Sequence, residues 1–66
     1  MMHTYEVFVD IKEFDFQTDS PSRMLSARYE IDAESRRTAD YTARSQAGSD
    51  YPRATEYDVR VTRMLL

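Results

Sequence analysis

The sequence predicts an α+β domain with the element order ββαβ, in which a three-stranded antiparallel sheet (order 2-1-3) carries one helix packed on one face. Three segments alternate apolar and polar residues with a period of two, which is typical of half-buried strands. One segment repeats alanine every four residues, which is typical of a helix that lies against a sheet. The 66 residues (1–66) are predicted to form a single domain, because a chain of this length is too short for two hydrophobic cores.

The first strand is predicted over residues 4–13. Its apolar side chains fall on alternate positions and therefore share one face of the sheet. They are Tyr5, Val7, Val9 and Ile11. Phe8 has the opposite parity, so we expect it to face away from the helix. Residues 15–22 are rich in turn-forming residue types and are predicted to form a long loop.

The second strand is predicted over residues 25–32 and the third over residues 55–64. Their inward residues are Leu25, Ala27, Tyr29 and Ile31 in the second strand and Tyr57, Val59 and Val61 in the third. Met64 is assigned to the outward face of the third strand. A crossover through the helix places the third strand beside the first, so that the most apolar strand is central.

The helix is predicted to run to about Ala47 from an N-cap at Ser35, with Asp32 as the competing cap. Its inward stripe is formed by small side chains that allow a close approach to the sheet, namely Ala39, Ala43 and Ala47. Gly48, the only glycine, is predicted to be a left-handed C-cap residue.

Composition excludes several function classes. The net charge of −3 does not predict nonspecific binding of DNA. The chain has no cysteine, one glycine and one histidine, His3, so it offers neither a nucleophile–histidine set nor a glycine-rich phosphate loop. We therefore expect no enzymatic activity and no cofactor. With no signal-peptide pattern and no long apolar run, we expect a cytoplasmic protein without a membrane partner.

The first candidate site is the sheet face that a single helix leaves uncovered. Aromatic residues there would form an apolar centre, and an acidic rim would suit a basic partner surface. The candidates are Phe8, Phe14 and Phe16, with Asp10, Glu13, Asp15 and Asp19 as the rim. Alternatively, Phe14 and Phe16 enlarge the chain's own core. The four carboxylates lack the glycine and terminal glutamate of a calcium loop, so a solvated acidic rim is favoured over a metal site.

The second candidate site is the outer ridge of the helix. Arg37, Tyr41 and Arg44 lie on roughly one face, at spacings of four and three residues. Phosphate or an acidic protein could bind there, and the tyrosine ring could stack on a base or pack on a side chain. A solvated helix face without a partner would account for the same three residues.

The segment Ile31-Asp32-Ala33-Glu34-Ser35, the helix alanines and the strand around Val59 and Val61 resemble small phage-encoded inhibitor proteins, among them some anti-CRISPR proteins. The resemblance spans roughly residues 27–62. It implies a domain without catalytic residues that blocks a complex of a bacterial host cell, with the acidic rim imitating phosphates. The modest net charge departs from strongly acidic DNA mimics.

The sequence therefore favours a noncatalytic protein-binding module that engages a host protein or nucleoprotein complex through the uncovered face and the acidic loop. One alternative is a homodimer that closes this face by sheet-on-sheet packing. The other is a weak nucleic-acid-binding module that uses the helix arginines. Association of some kind is expected, because so small a chain without disulfides or a metal has little stability of its own.

Overall fold

The structure, a computed structural model, describes residues 1–15 and 20–66. In these residues the chain forms strand β1 (His3–Asp15), strand β2 (Ser20–Ala33), helix α1 (Arg36–Asp50) and strand β3 (Ala54–Met64). The strands form one antiparallel sheet in the order β2-β1-β3, and α1 packs on one face of it. The predicted α+β fold and strand order are confirmed.

The core lies along β1, because this strand is central and its alternate residues face the helix. Val7, Val9 and Ile11 are fully buried, and Tyr5 is nearly so. β2 and β3 lie at the edges of the sheet, so their inward side chains are only half-buried against the core. These are Leu25, Ala27, Tyr29, Ile31, Tyr57, Val59 and Val61.

Helix α1 contributes its alanine stripe to the core. Ala39, Ala43 and Ala47 are each 0% exposed, since small side chains let the helix lie close to the sheet. The hydroxyl of Ser35 accepts a hydrogen bond from the backbone N–H of Thr38 at 3.2 Å. Ser35 is therefore the N-cap, as predicted.

Two predicted boundaries are wrong. The helix continues through Gly48 to Asp50, where the N–H of Tyr51 still bonds to the carbonyl of Ala47 at 2.8 Å. Gly48 is thus an interior helix residue and not a left-handed cap. β2 begins at Ser20, so part of the segment that was predicted to be a loop pairs with β1.

A β-bulge changes the side-chain parity at the end of β3. Val7 pairs with Val61 and Glu6 pairs with Arg63, which leaves Thr62 as the extra residue. Met64 then pairs with Tyr5 and shares its helix-facing side. The predicted outward orientation of Met64 is therefore wrong, because the period of two is broken at Thr62.

We expect Val9→Asp to abolish cooperative folding. Val9 is 0% exposed, and a buried carboxylate without a partner costs several kcal/mol, comparable with the whole stability of a small domain. Phe8→Asp is the matched control, because the new carboxylate would face water opposite Arg28 and Arg60. Circular dichroism during urea unfolding checks both variants. An unchanged urea midpoint for Val9→Asp would contradict the assigned core.

We expect Gly48→Ala to stabilise the protein by up to about 1 kcal/mol, since alanine is the better residue in a helix interior. An added Cβ would lie 4.0 Å from the Tyr57 hydroxyl oxygen, which is an ordinary contact. Urea unfolding measures the change, with Ser45→Ala on the exposed side of α1 as the control for helix propensity. Destabilisation by Gly48→Ala would show that the glycine is needed for close packing.

Candidate interaction surfaces

The sheet face opposite α1, here called the open face, is not covered by any other element of the described residues. Strand alternation places on it residues that are mostly charged. Its β1 members are Thr4, Glu6, Phe8, Asp10 and Lys12; its β2 members are Met24, Ser26, Arg28, Glu30 and Asp32; its β3 members are Glu56, Asp58, Arg60 and Arg63. The open face is therefore mostly polar, and its large apolar side chains in the described residues are Phe8, which is half-buried, and Met24, which is 64% exposed.

Glu6 is the centre of the main charge cluster on the open face. Its side chain is only 11% exposed. One carboxylate oxygen, Oε2, accepts from Nε and Nη2 of Arg28, each at 3.0 Å. The other oxygen, Oε1, accepts from the Thr62 hydroxyl at 2.8 Å and lies 3.3 Å from Nε of Arg63. Arg28 also binds Glu30 at 2.8 Å.

The central part of the open face is paired in a similar way. Asp10 accepts from Arg60 at 3.2 Å and from the Ser26 hydroxyl at 2.8 Å. Lys12 lies 4.0 Å from Glu56, and both of these side chains are well exposed. Exposed pairs of this kind contribute little individually, whereas the shielded cluster around Glu6 contributes more.

Of the three residues of the predicted aromatic centre, the structure describes Phe8 and Phe14. Phe8 lies on the open face, as predicted, and is half-buried. The residues directly opposite it are Arg28 and Arg60, whose aliphatic stems can cover part of the ring. Phe14 is also half-buried. Phe16 lies outside the described residues.

The predicted acidic rim is not brought together as one patch. Asp10 lies on the open face, whereas Glu13 has the opposite parity and points to the helix side of the sheet. Asp15 is the last residue of β1, and Asp19 lies outside the described residues. No group of three histidine or acidic side chains that could hold a metal ion is found in the part of the chain that the structure describes.

The predicted helix ridge lines a groove between α1 and β3 of about 480 Å³, here called the α1–β3 groove. Its lining residues are Arg36, Arg37, Asp40, Tyr41, Arg44 and Val61. Tyr41 is 74% exposed. All three predicted ridge residues, Arg37, Tyr41 and Arg44, therefore lie around one concave surface.

Two arginines of the groove are held by the edge of β3. Nη2 of Arg36 donates to the carbonyl of Val61 at 2.7 Å. Nη1 of Arg44 lies 3.5 Å from the carbonyl of Tyr57, and Nη2 lies 3.5 Å from Asp40. The guanidinium of Arg37 makes no hydrogen bond or ion pair with another described residue, so its charge is available to a ligand.

Sequence reasoning missed Arg36 and the Glu6 cluster. The four-residue spacing of Arg36, Asp40 and Arg44 could have shown that they share a helix face next to Tyr41. No local signal could have found the Glu6 cluster, because the contact between Glu6 and Arg28 depends on strand register and the position of Thr62 depends on a bulge.

Hydrogen bonding and burial shift the pKa of three groups. The Thr62 hydroxyl, with support from Arg28 and Arg63, lowers the pKa of Glu6 below its ordinary value of 4.5, against the opposing effect of burial. Hydrogen bonds to Glu30 and Glu6 raise the pKa of Arg28. Burial raises the pKa of Tyr29, and its hydrogen bond to Asp50 raises it further.

Comparisons of the chain with protein-family models, with curated proteins and with solved structures found no match. In the described residues, no helix has the length and apolar character that spanning a membrane requires. What the chain does is therefore inferred from the geometry of the surfaces above.

We expect Glu6→Gln to lower the urea midpoint at neutral pH and to have less effect in acid. Because folding lowers the pKa of Glu6, the stability that its carboxylate contributes is present above the unfolded-state value of 4.5 and is lost as the pH falls through the folded-state value. Urea unfolding of both proteins across this pH range measures the difference. Glu56→Gln is the control, because it removes the same charge from the exposed pair of Lys12 and Glu56. A difference that stays constant with pH would contradict the role of the charge.

Proposed function

We propose that this protein is a noncatalytic protein-binding module whose α1–β3 groove receives an acidic segment of a partner protein. The observation that carries the proposal is the composition of the groove. Three arginines surround an exposed tyrosine, and Asp40 is the only carboxylate among the described residues that line it. Such a basic concave surface with an aromatic centre complements acidic side chains.

Charge elsewhere on the chain favours a protein partner over a nucleic acid. The whole chain has a net charge of −3 although the groove is basic, so the remaining surface is acidic. A polyanion long enough to extend beyond the groove would meet this acidic surface and be repelled. An acidic cluster on a folded partner or a short acidic peptide segment would not.

We do not place the partner on the open face, although the sequence favoured that surface. Its charges are largely satisfied by partners within the chain, such as Glu6 by Arg28 and Asp10 by Arg60. Breaking these pairs would cost binding energy. The groove offers Arg37 and Tyr41 without that cost, so we place the partner there.

The narrower expectation is that the module blocks a host protein or nucleoprotein complex in the bacterial cytoplasm. Its support is the resemblance of residues 27–62 to phage-encoded inhibitors, and it stays a prediction.

The proposal is tested by fluorescence anisotropy with a labelled peptide of glutamate and leucine, compared with the matching lysine and leucine peptide. We expect the glutamate peptide to bind at micromolar concentration and the lysine peptide not to bind. Arg37→Glu and Tyr41→Ala should each weaken binding about tenfold or more, because they remove a charge that no described residue pairs with and an aromatic anchor.

Arg53→Glu is the matched control, since it makes the same charge change at an exposed position outside the groove. Its effect should be small. Equal affinity of the unchanged protein and Arg37→Glu would contradict the proposal. Tighter and steeply salt-dependent binding of single-stranded DNA in the same assay would replace it with the nucleic-acid alternative.

A further inference from the structure

The two edges of the sheet differ in how their outward backbone groups are satisfied. Hydrogen bonds join the backbone of Thr4 to Leu65 and Leu66, so the even-numbered residues of β1 direct their N–H and C=O groups toward β3. The odd-numbered residues of β1 must then bond to β2. It follows that the even-numbered residues of β2 direct their backbone groups away from the sheet.

The β3 edge is protected against pairing with another strand. Arg36 covers the outward carbonyl of Val61 at 2.7 Å, and Arg44 lies over that of Tyr57 at 3.5 Å. The register shifts near Thr55 and Thr62 also distort this strand. Bulges and charged side chains of this kind are devices that keep an edge strand from pairing.

The β2 edge also carries charged side chains, but among the described residues none of them bonds to its outward backbone groups. Its pairing with β1 is regular from Arg23 to Ala33, without a bulge. In the part of the chain that the structure describes, no hydrogen bond satisfies the outward backbone groups of Ser26, Arg28 and Glu30. The inward side chains along this edge are only half-buried. The edge therefore exposes both backbone polar groups and apolar surface to which a second strand could bind.

We propose that β2 pairs antiparallel with β2 of a second copy of this chain, about a two-fold axis at Tyr29, to form a continuous sheet across the two copies. In this register the outward N–H and C=O groups of one copy lie opposite the outward C=O and N–H groups of the other. It places Arg28 opposite the partner's Glu30 twice, as the symmetry requires. On the helix side, Ala27 lies opposite the partner's Ile31 and Leu25 lies opposite the partner's Ala33.

Charge favours this register, because an axis at Tyr29 places unlike charges opposite each other and places no like charges opposite each other. An axis at Arg28 or at Glu30 would place that residue opposite its own copy, and like charges directly opposite each other are destabilising. An axis at Ile31 would place Glu30 opposite the partner's Asp32, which is also repulsive. The alternation Arg28–Glu30 is thus complementary to itself when reversed, which favours a second copy over an unrelated strand.

The proposed interface differs from face-to-face closure of the open face. The described residues of the open face carry more carboxylates than basic groups, so two such faces would repel each other. Edge pairing leaves the open face in water and leaves the α1–β3 groove, on the opposite edge, accessible. If this dimer does not form, the proposed function of the α1–β3 groove is therefore unaffected.

The test is sedimentation equilibrium together with hydrogen exchange by NMR. We expect a mass of about twice 7.8 kDa at micromolar concentration, with slow exchange at the amides of Ser26, Arg28 and Glu30. Glu30→Arg should raise the dimer dissociation constant about tenfold, because it places two arginines opposite each other. Ser26→Pro removes an outward N–H and should also weaken the dimer, since proline is tolerated on an edge strand only where the N–H is unpaired.

Glu56→Arg makes the same charge change on β3, at the opposite edge of the sheet, and should leave the dimer intact. Circular dichroism establishes that each variant is folded. A monomer at all concentrations would overturn the proposal, and so would a dimer that survives both Glu30→Arg and Ser26→Pro. A dimer in which the three amides exchange rapidly would assign the interface elsewhere and would also overturn it.

Discussion

The packing of alanine side chains against the apolar side of β1 is the interaction on which the rest of the structure depends. Ala39, Ala43 and Ala47 bring α1 close to Val7 and Val9, and all five residues are fully buried. Because the described part of the chain provides a single helix, this contact covers one face of the sheet only. The opposite face must be stable in water, and it is built from charged residues that pair with one another around Glu6 and Asp10.

This division of the sheet determines which surfaces can bind. Arginines and carboxylates on the open face are largely occupied by one another, so that face offers a partner few unpaired groups. Polar groups that have no partner among the described residues lie instead at the two sides of the molecule. The α1–β3 groove presents Arg37 and Tyr41, and the β2 edge presents the backbone of Ser26, Arg28 and Glu30. A partner protein in the groove and a second copy at the edge could bind at the same time.

The fold was predictable because its signals are local. Alternation of apolar residues identified the strands, the alanine spacing identified the helix, and Ser35 identified its start. Features that depend on strand register were not predictable: the bulge at Thr62 reversed the parity of Met64, and cross-strand pairing surrounded Phe8 with arginines. Gly48 was misassigned because a glycine near a helix end has the same local pattern whether the helix stops there or continues. The ridge residues Arg37, Tyr41 and Arg44 were found together because helix spacing alone sets their positions.

A double-mutant cycle between Glu6 and Arg28 tests most directly whether the open face stabilises itself. Urea unfolding would be measured for Glu6→Gln, Arg28→Gln and the double variant at neutral pH. Since Arg28 makes two contacts with one carboxylate oxygen of Glu6, the double variant should lose clearly less stability than the sum of the two single losses. Additive losses would contradict the account, because they would mean that the two charges act independently and that something other than their pairing stabilises this face of the sheet.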